Sequence, residues 1–268
     1  MKHKKKIVYY DDPLNDDFAG TNINTQEVGK EFPFLPTKWL WRLISWFLYY
    51  IIAIPIVFFY SLFIGGYRVK NQKALRKVRK TGYFMYINHT HFTDAFIPAL
   101  VAFPKRAFVI TGPDAVSIKK IRGLVQMLGA IPIPTATVPA MNNFMKAVRQ
   151  RADAGYCVGI FPEAHIWPYC NFIRPYKATS FRYPAMWGKP VVSVCITYQK
   201  QRGLLKWVKY PRRTIYVSEP FYADTSLSIK AAQKYLHEKA YAFMCETSRQ
   251  YSDYAYIEYI RRSEEENK

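Results

Sequence analysis

The apolar and polar positions divide the chain into three regions of different texture. Residues 1–38 follow no helical or strand period. They open with Lys2–Lys6, turn acidic at Asp11, Asp12, Asp16 and Asp17, and end with Pro33 and Pro36; no regular structure is expected there. From Leu43 to Tyr67 no charged residue occurs, and such a run can cross a hydrocarbon core, which takes about 20 helical residues. Trp39, Trp41 and Trp46 at one end, with Tyr60 and Tyr67 at the other, have the placement of an interfacial aromatic belt. Pro55 either kinks one helix or divides two short helices that dip in and return. The run starts too late and is too long for a secretory signal.

Beyond Thr81-Gly82 the texture alternates. Strand-like runs lie at 83–87, 107–111, 130–133, 156–161, 190–197 and 214–218, with helix-like segments at about 94–102, 116–128, 138–153 and 176–187. Strands separated by helical stretches predict an α/β fold, a mostly parallel sheet flanked by helices. Asp224-Thr225-Ser226 then precedes a segment from Ser228 to about Gln250, where Leu236, Ala240, Phe243 and Met244 recur at helical spacing. The expected organisation is a polar segment (1–38), a membrane-attaching helical segment (39–67), a catalytic domain (68–262) and an acidic tail (263–268).

Half the residues are apolar and the formal charge is +20, which excludes a disordered chain and points to an acidic partner. The charge is concentrated: Arg68 to Arg213 holds twenty-five Lys and Arg against four acids, Asp94, Asp114, Asp153 and Glu163. Seven of the cations fall between Arg68 and Lys80, directly after the apolar run, which predicts the cytoplasmic face of a membrane. Nucleic acid is not the expected partner, because the cations are scattered and no nucleic-acid motif accompanies them. Cys157, Cys170, Cys195 and Cys245 show no metal or disulfide spacing and read as reduced thiols.

Two of those four acids stand in short polar knots that directly follow buried-strand patterns. The first is Asn88-His89-Thr90-His91-Phe92-Thr93-Asp94; the second is Phe161-Pro162-Glu163-Ala164-His165. Loops at strand ends are where α/β proteins place their chemistry. If the first loop turns into a helix near Thr93, the Asp94 carboxylate can hold one nitrogen of His89 while the other takes a proton from a substrate hydroxyl. A histidine that only caps a helix would show the same spacing. Glu163 could accept hydrogen bonds from a polyol acceptor, orient the histidine loop, or form a structural ion pair.

Together these residues resemble the glycerolipid acyltransferases of the lysophosphatidic acid acyltransferase type. His89 to Asp94 looks like that family's HxxxxD motif, Gly129-Ala130-Ile131-Pro132-Ile133 like its second block, and Phe161-Pro162-Glu163-Ala164 like its Phe-Pro-Glu-Gly block. Arg174-Pro175-Tyr176-Lys177, followed by Gly188-Lys189-Pro190-Val191-Val192, resembles the stretch up to its fourth block. The resemblance covers roughly residues 68–245 and implies transfer of a fatty acyl group from acyl-carrier protein or acyl-coenzyme A to a lysolipid hydroxyl. It implies His89 as base, Asp94 as its partner, and Phe161, Pro162, Glu163, Ala164, His165, Arg174 and Lys177 around the acceptor. No cofactor beyond the thioester co-substrate and no metal is implied. The implied partners are membrane lipid and an acyl-carrier protein or coenzyme A thioester.

Three positions depart from the pattern. Pro134 and Thr135 stand where an arginine is usual, Thr111 where a lysine is frequent, and His165-Ile166 where Thr-Arg normally follows the third block. Those are the expected phosphate grips, so the acceptor is left open. A member that binds lipid without turnover is one alternative. The run His89-x-His91-x-x-Asp94 with His165 suggests a metal hydrolase as another, although Thr93 and Ala95 stand where the HxHxDH pattern needs its further ligands.

Overall fold

The computed structural model describes residues 6–20, 24–61, 66–135, 137–203 and 206–262. The acidic tail at 263–268, Lys2–Lys5, and residues 62–65 of the apolar run lie outside them. The elements are β1 (Lys6–Tyr10), α1 (Trp39–Phe47), α2 (Ile54–Phe59), β2 (Arg68–Lys70), β3 (Tyr83–Ile87), α3 (Ile97–Ala102), β4 (Ala107–Thr111), α4 (Arg122–Met127), β5 (Ala130–Pro132), α5 (Val138–Asp153), β6 (Cys157–Ile160), α6 (Arg182–Trp187), β7 (Val191–Gln199), β8 (Arg212–Val217), α7 (Ile229–Tyr251) and β9 (Ile257–Arg261).

Seven strands form one sheet in the order β2-β8-β7-β3-β6-β4-β5. Every pairing is parallel except β7 with β8, so the expected α/β architecture with a mostly parallel sheet is what forms. β3 lies between β6 and β7 and is buried along its whole length. Its side chains divide by the two-residue period of a strand. Phe84 and Tyr86 enter the core under α5, α6 and α7, with Phe144, Phe181, Leu236 and Met244. Tyr83, Met85 and Ile87 enter a second core with Ile97 and Val101 of α3. Gly159 in β6 permits that second layer, since a Cβ there would lie 2.9 Å from Pro98 Cγ.

Three expected helices are shorter than their patterns. The stretch 94–102 becomes a 3-10 turn (Phe92–Phe96) followed by α3, 116–128 keeps a regular helix only in α4, and 176–187 only in α6. Pro98 and Pro184 explain two of these. Proline lacks an amide donor and is tolerated in a first turn, so each helix starts just before its proline.

One expectation about the flanks is corrected. The amino-terminal segment is not without regular structure: β1 pairs in parallel with β9, from Lys6–Ile257 to Tyr10–Arg261. Neither short strand shows in a local pattern, because each is completed only by the other end of the chain. The basic stretch after the apolar run is also structured. Its first residues form β2 on the sheet edge, and Ala74 and Val78 are buried in the turn that follows.

The apolar run is one continuous helical segment from Trp39 to Phe59. A π-helical stretch, Leu48–Ala53, leads into α2, with Pro55 in its first turn. Widening the helix there accommodates a residue that cannot donate its amide to the preceding turn. Ser45, Tyr49 and Val57 are buried against the domain. Tyr49 accepts the amide of Ala107 at 2.9 Å and Tyr50 donates to the Pro104 carbonyl at 3.2 Å. Trp39, Leu43, Trp46, Ile51, Ile56 and Phe59 are exposed and give the helix an apolar outer side.

Candidate active site

Asn88 closes β3 by acting as one more strand residue. Its side chain donates to the carbonyl of Ile196 (3.1 Å) and accepts that residue's amide (2.8 Å), which fixes where the first loop leaves the sheet. His89 is the next residue. Its ring lies on Phe161 with centroids 4.2 Å apart and an interplanar angle of 25°, and its side chain is 14% exposed. β3 and β6 are adjacent and parallel, so the two knots meet at the carboxyl ends of neighbouring strands.

Asp94 is fully buried. Its Oδ2 accepts the amides of Thr90 (2.6 Å) and His91 (2.7 Å) and the Thr90 hydroxyl (3.2 Å). The same oxygen lies 3.5 Å from His89 Nδ1, and among the described residues neither Nδ1 nor Asp94 Oδ1 has another hydrogen-bond partner. The pair is thus within reach but loose, as catalytic hydrogen bonds often are in unliganded sites. With Nδ1 turned to the carboxylate, Nε2 is the nitrogen left to accept a proton.

His91 plays a different part. Its Nδ1 accepts the amide of Thr93 (3.2 Å) while the Asp94 carboxylate accepts the amide of His91, a reciprocal cap at the start of the 3-10 turn. Burial, then the positive charge of Arg213, pushes the His91 pKa down to about 4. The histidine that resembled a metal ligand is a neutral capping residue.

Of the three parts open to Glu163, acceptor contact, orientation of the histidine loop and an ion pair, its contacts show the last two. It is buried, and its Oε2 accepts the backbone amide of His89 at 3.0 Å. Its Oε1 accepts the amide of Arg174 at 2.9 Å, and the Arg174 guanidinium lies 3.2 Å from Oε2. Arg174 has no exposed surface; it also donates to the His165 carbonyl and stacks over Trp167. The expectation that Arg174 grips an acceptor is corrected: its charge neutralises Glu163. The remaining residues are dispersed. Pro162 is partly exposed and Lys177 exposed, and His165 Nδ1 lies 3.5 Å from Asp17 Oδ2. Ala164 is exposed with φ 62°, a left-handed conformation that glycine adopts without cost. That accounts for the glycine in the resembling block. Thr135, at a usual grip position, accepts the Val28 amide at 3.1 Å. Among the described residues no three His, Cys, Asp or Glu side chains gather as a metal-ligand set, and all four cysteines are free.

Sequence reasoning missed a cluster behind the loop. Arg213 on β8, 5% exposed, donates to Thr93 Oγ1 (3.1 Å) and to the Tyr67 hydroxyl (2.6 Å), and these two oxygens lie 2.8 Å apart. Tyr198 donates to Thr90 Oγ1 at 2.7 Å. The cluster ties the loop to the sheet and to Tyr67, just before β2. A single arginine at an inward position of a strand pattern was the available signal.

Residues 66–197 match the family model described as Acyltransferase. The chain carries an acyltransferase-family domain. The matched stretch runs from just before β2 into β7 and includes both knots, which bears out the resemblance drawn from the motifs; the protein is an acyltransferase. A similar solved structure is the crystal structure of the 1-acyl-sn-glycerophosphate (LPA) acyltransferase, PlsC, from Thermotoga maritima, 15% identical, with 80% of this chain and 97% of that chain covered and a TM-score of 0.49. No curated protein matches the chain.

Proposed function

We propose that this acyltransferase moves a fatty acyl group from a thioester, acyl-carrier protein or acyl-coenzyme A, to the hydroxyl of a lysolipid at the cytoplasmic face of a membrane. One observation carries the reading: a buried carboxylate, fixed by two backbone amides, lies beside the imidazole of His89 at the end of the central strand. Nε2 of His89 takes the proton of the acceptor hydroxyl as its oxygen bonds to the thioester carbonyl carbon. The tetrahedral intermediate then collapses, the carbon–sulfur bond breaks, and the departing thiolate takes the proton from the imidazolium. Asp94 stabilises the imidazolium between those steps. No acyl-enzyme forms.

The outward apolar face of Trp39–Phe59 supports membrane attachment, and the excess of cations supports an acidic donor. The acceptor belongs to phospholipid biosynthesis in its broad class. The expected grips at Thr111 and Thr135 are neutral and Arg174 is spent on Glu163, so a lysolipid other than lysophosphatidic acid fits the site as well as lysophosphatidic acid itself.

The test is incubation of the full-length protein with radiolabelled acyl-carrier protein or acyl-coenzyme A and a panel of lysolipids bearing phosphate, amine, choline or sugar headgroups. Transfer to at least one lysolipid, with release of free thiol, is expected. Thioester hydrolysis without transfer to any acceptor would contradict the reading.

A further inference from the structure

At the other end of the sheet from His89, before the amino ends of β4 and β6, a cavity of about 620 Å³ lies between α1 and the sheet edge. Arg42, Arg106 and Arg151 line it, and among the described residues no Asp or Glu does. The guanidinium carbons of Arg106 and Arg151 both sit on the ring of Phe108, 4.9 and 4.7 Å from its centroid.

Among the described residues neither arginine has a counter-charge. Arg106 donates to Ser45 Oγ and the Met127 carbonyl, and Arg151 to the carbonyls of Ala147 and Phe34, all neutral oxygens. The Nε of each is buried without a hydrogen-bond partner among the described residues. Burial, with Arg106 beside it, pulls the Arg151 pKa down to about 10. Two partly buried cations packed on one ring are unfavourable unless an anion joins them. The walls select among anions. Trp39 and Trp46, 73% and 50% exposed, also line the cavity, and α1 continues from there as an apolar face. Indole rings are enriched at the headgroup level of a bilayer.

We propose that this cavity binds an anionic membrane phospholipid, its phosphate held by Arg106 and Arg151 and its acyl chains lying along α1. Planar guanidinium groups suit phosphate oxygens, which they can engage with two parallel hydrogen bonds. The lipid supplies the missing negative charge, and its chains cover the indoles, which inorganic phosphate would leave in water. This site lies apart from the acyl-transfer loops and does not depend on their chemistry.

The experiment is thermal unfolding of the full-length protein in neutral detergent, titrated with short-chain dihexanoyl phosphatidylglycerol, with dihexanoyl phosphatidylcholine, and with inorganic phosphate. The anionic lipid is expected to raise the melting temperature saturably, at concentrations at least tenfold below those at which the other two act. Arg151→Gln and Arg106→Gln should weaken the lipid's half-saturation at least tenfold. Arg42→Gln, at an exposed position, should weaken it about fivefold, as loss of roughly one surface cation's attraction of about 1 kcal/mol does. Arg76→Gln, on a separate basic surface, should leave it unchanged. No shift with the anionic lipid, an equal shift with inorganic phosphate, or undiminished lipid affinity in Arg42→Gln and Arg151→Gln would each overturn the proposal. Acyl-transfer turnover, measured on the same samples, reports on the proposed reaction separately.

Discussion

Replacing Glu163 with glutamine separates two roles, contact with the acceptor and support of the histidine loop. The carboxylate is buried, pairs with an arginine that has no exposed surface, and accepts the His89 amide. Glutamine keeps one acceptor oxygen but turns an amide donor toward donors and strands the Arg174 cation. Breaking a buried ion pair costs about 3–5 kcal/mol, and the retained oxygen places Glu163→Gln near the lower end. For a domain of this size about 3 kcal/mol lowers the melting temperature by roughly 6–12 °C. With its anchor weakened, His89 shifts against the carboxylate of Asp94, and a displacement of ~1 Å can cost about 100-fold in turnover. The assay is steady-state acyl transfer with the acceptor varied, beside thermal unfolding. The expected result is kcat lowered roughly 10- to 100-fold, with KM for the acceptor changed less than about threefold. Adding Arg174→Met removes the stranded cation and should restore about 1–3 kcal/mol of stability. An unchanged melting temperature with a tenfold higher acceptor KM would refute the reasoning and place Glu163 on the substrate.

Three further outcomes follow from the same site. Ala164→Gly relieves a left-handed residue (φ 62°) and should stabilise the fold by about 0.5–1 kcal/mol, the 1–2 kcal/mol strain less the added freedom of the unfolded chain; urea unfolding reads it. His91 titrates near 4 in the fold against 6.5 ordinarily, so between those values the unfolded chain binds the extra proton and stability falls as pH drops. His91→Asn, which can still cap the turn, should flatten that part of the stability–pH curve between about pH 6.5 and 4. Asp94→Asn keeps the pocket but loses the charge that stabilises the imidazolium, so kcat should fall about 100- to 10,000-fold with little change in acceptor KM.

The central strands could be read from the chain because they are buried on both faces and therefore appear as unbroken apolar runs, β3 above all. The knots could be read because each follows such a run directly. Burial of Arg174 could not, since nothing local distinguishes a buried arginine from a solvated one, and its position is decided by a carboxylate in another loop. The same holds for Arg213, whose partners Tyr67 and Thr93 are far away in the chain. β1 and β9 escaped notice because short strands with one exposed face carry little pattern until they pair. The role of His91 was misleading for a related reason. Its spacing from His89 and Asp94 mimics a ligand pattern, whereas the structure uses its ring nitrogen to cap the 3-10 turn.

Turnover of His89→Ala tests the central claim most directly. The purified variant, shown to unfold at a temperature close to the parent protein and to bind vesicles equally, is assayed for release of thiol from acyl-carrier protein or acyl-coenzyme A in the presence of the accepted lysolipid. Loss of at least about 100-fold in kcat is predicted, the smallest usual contribution of a positioned general base. A folded variant that transfers acyl groups at the parent rate would contradict the account.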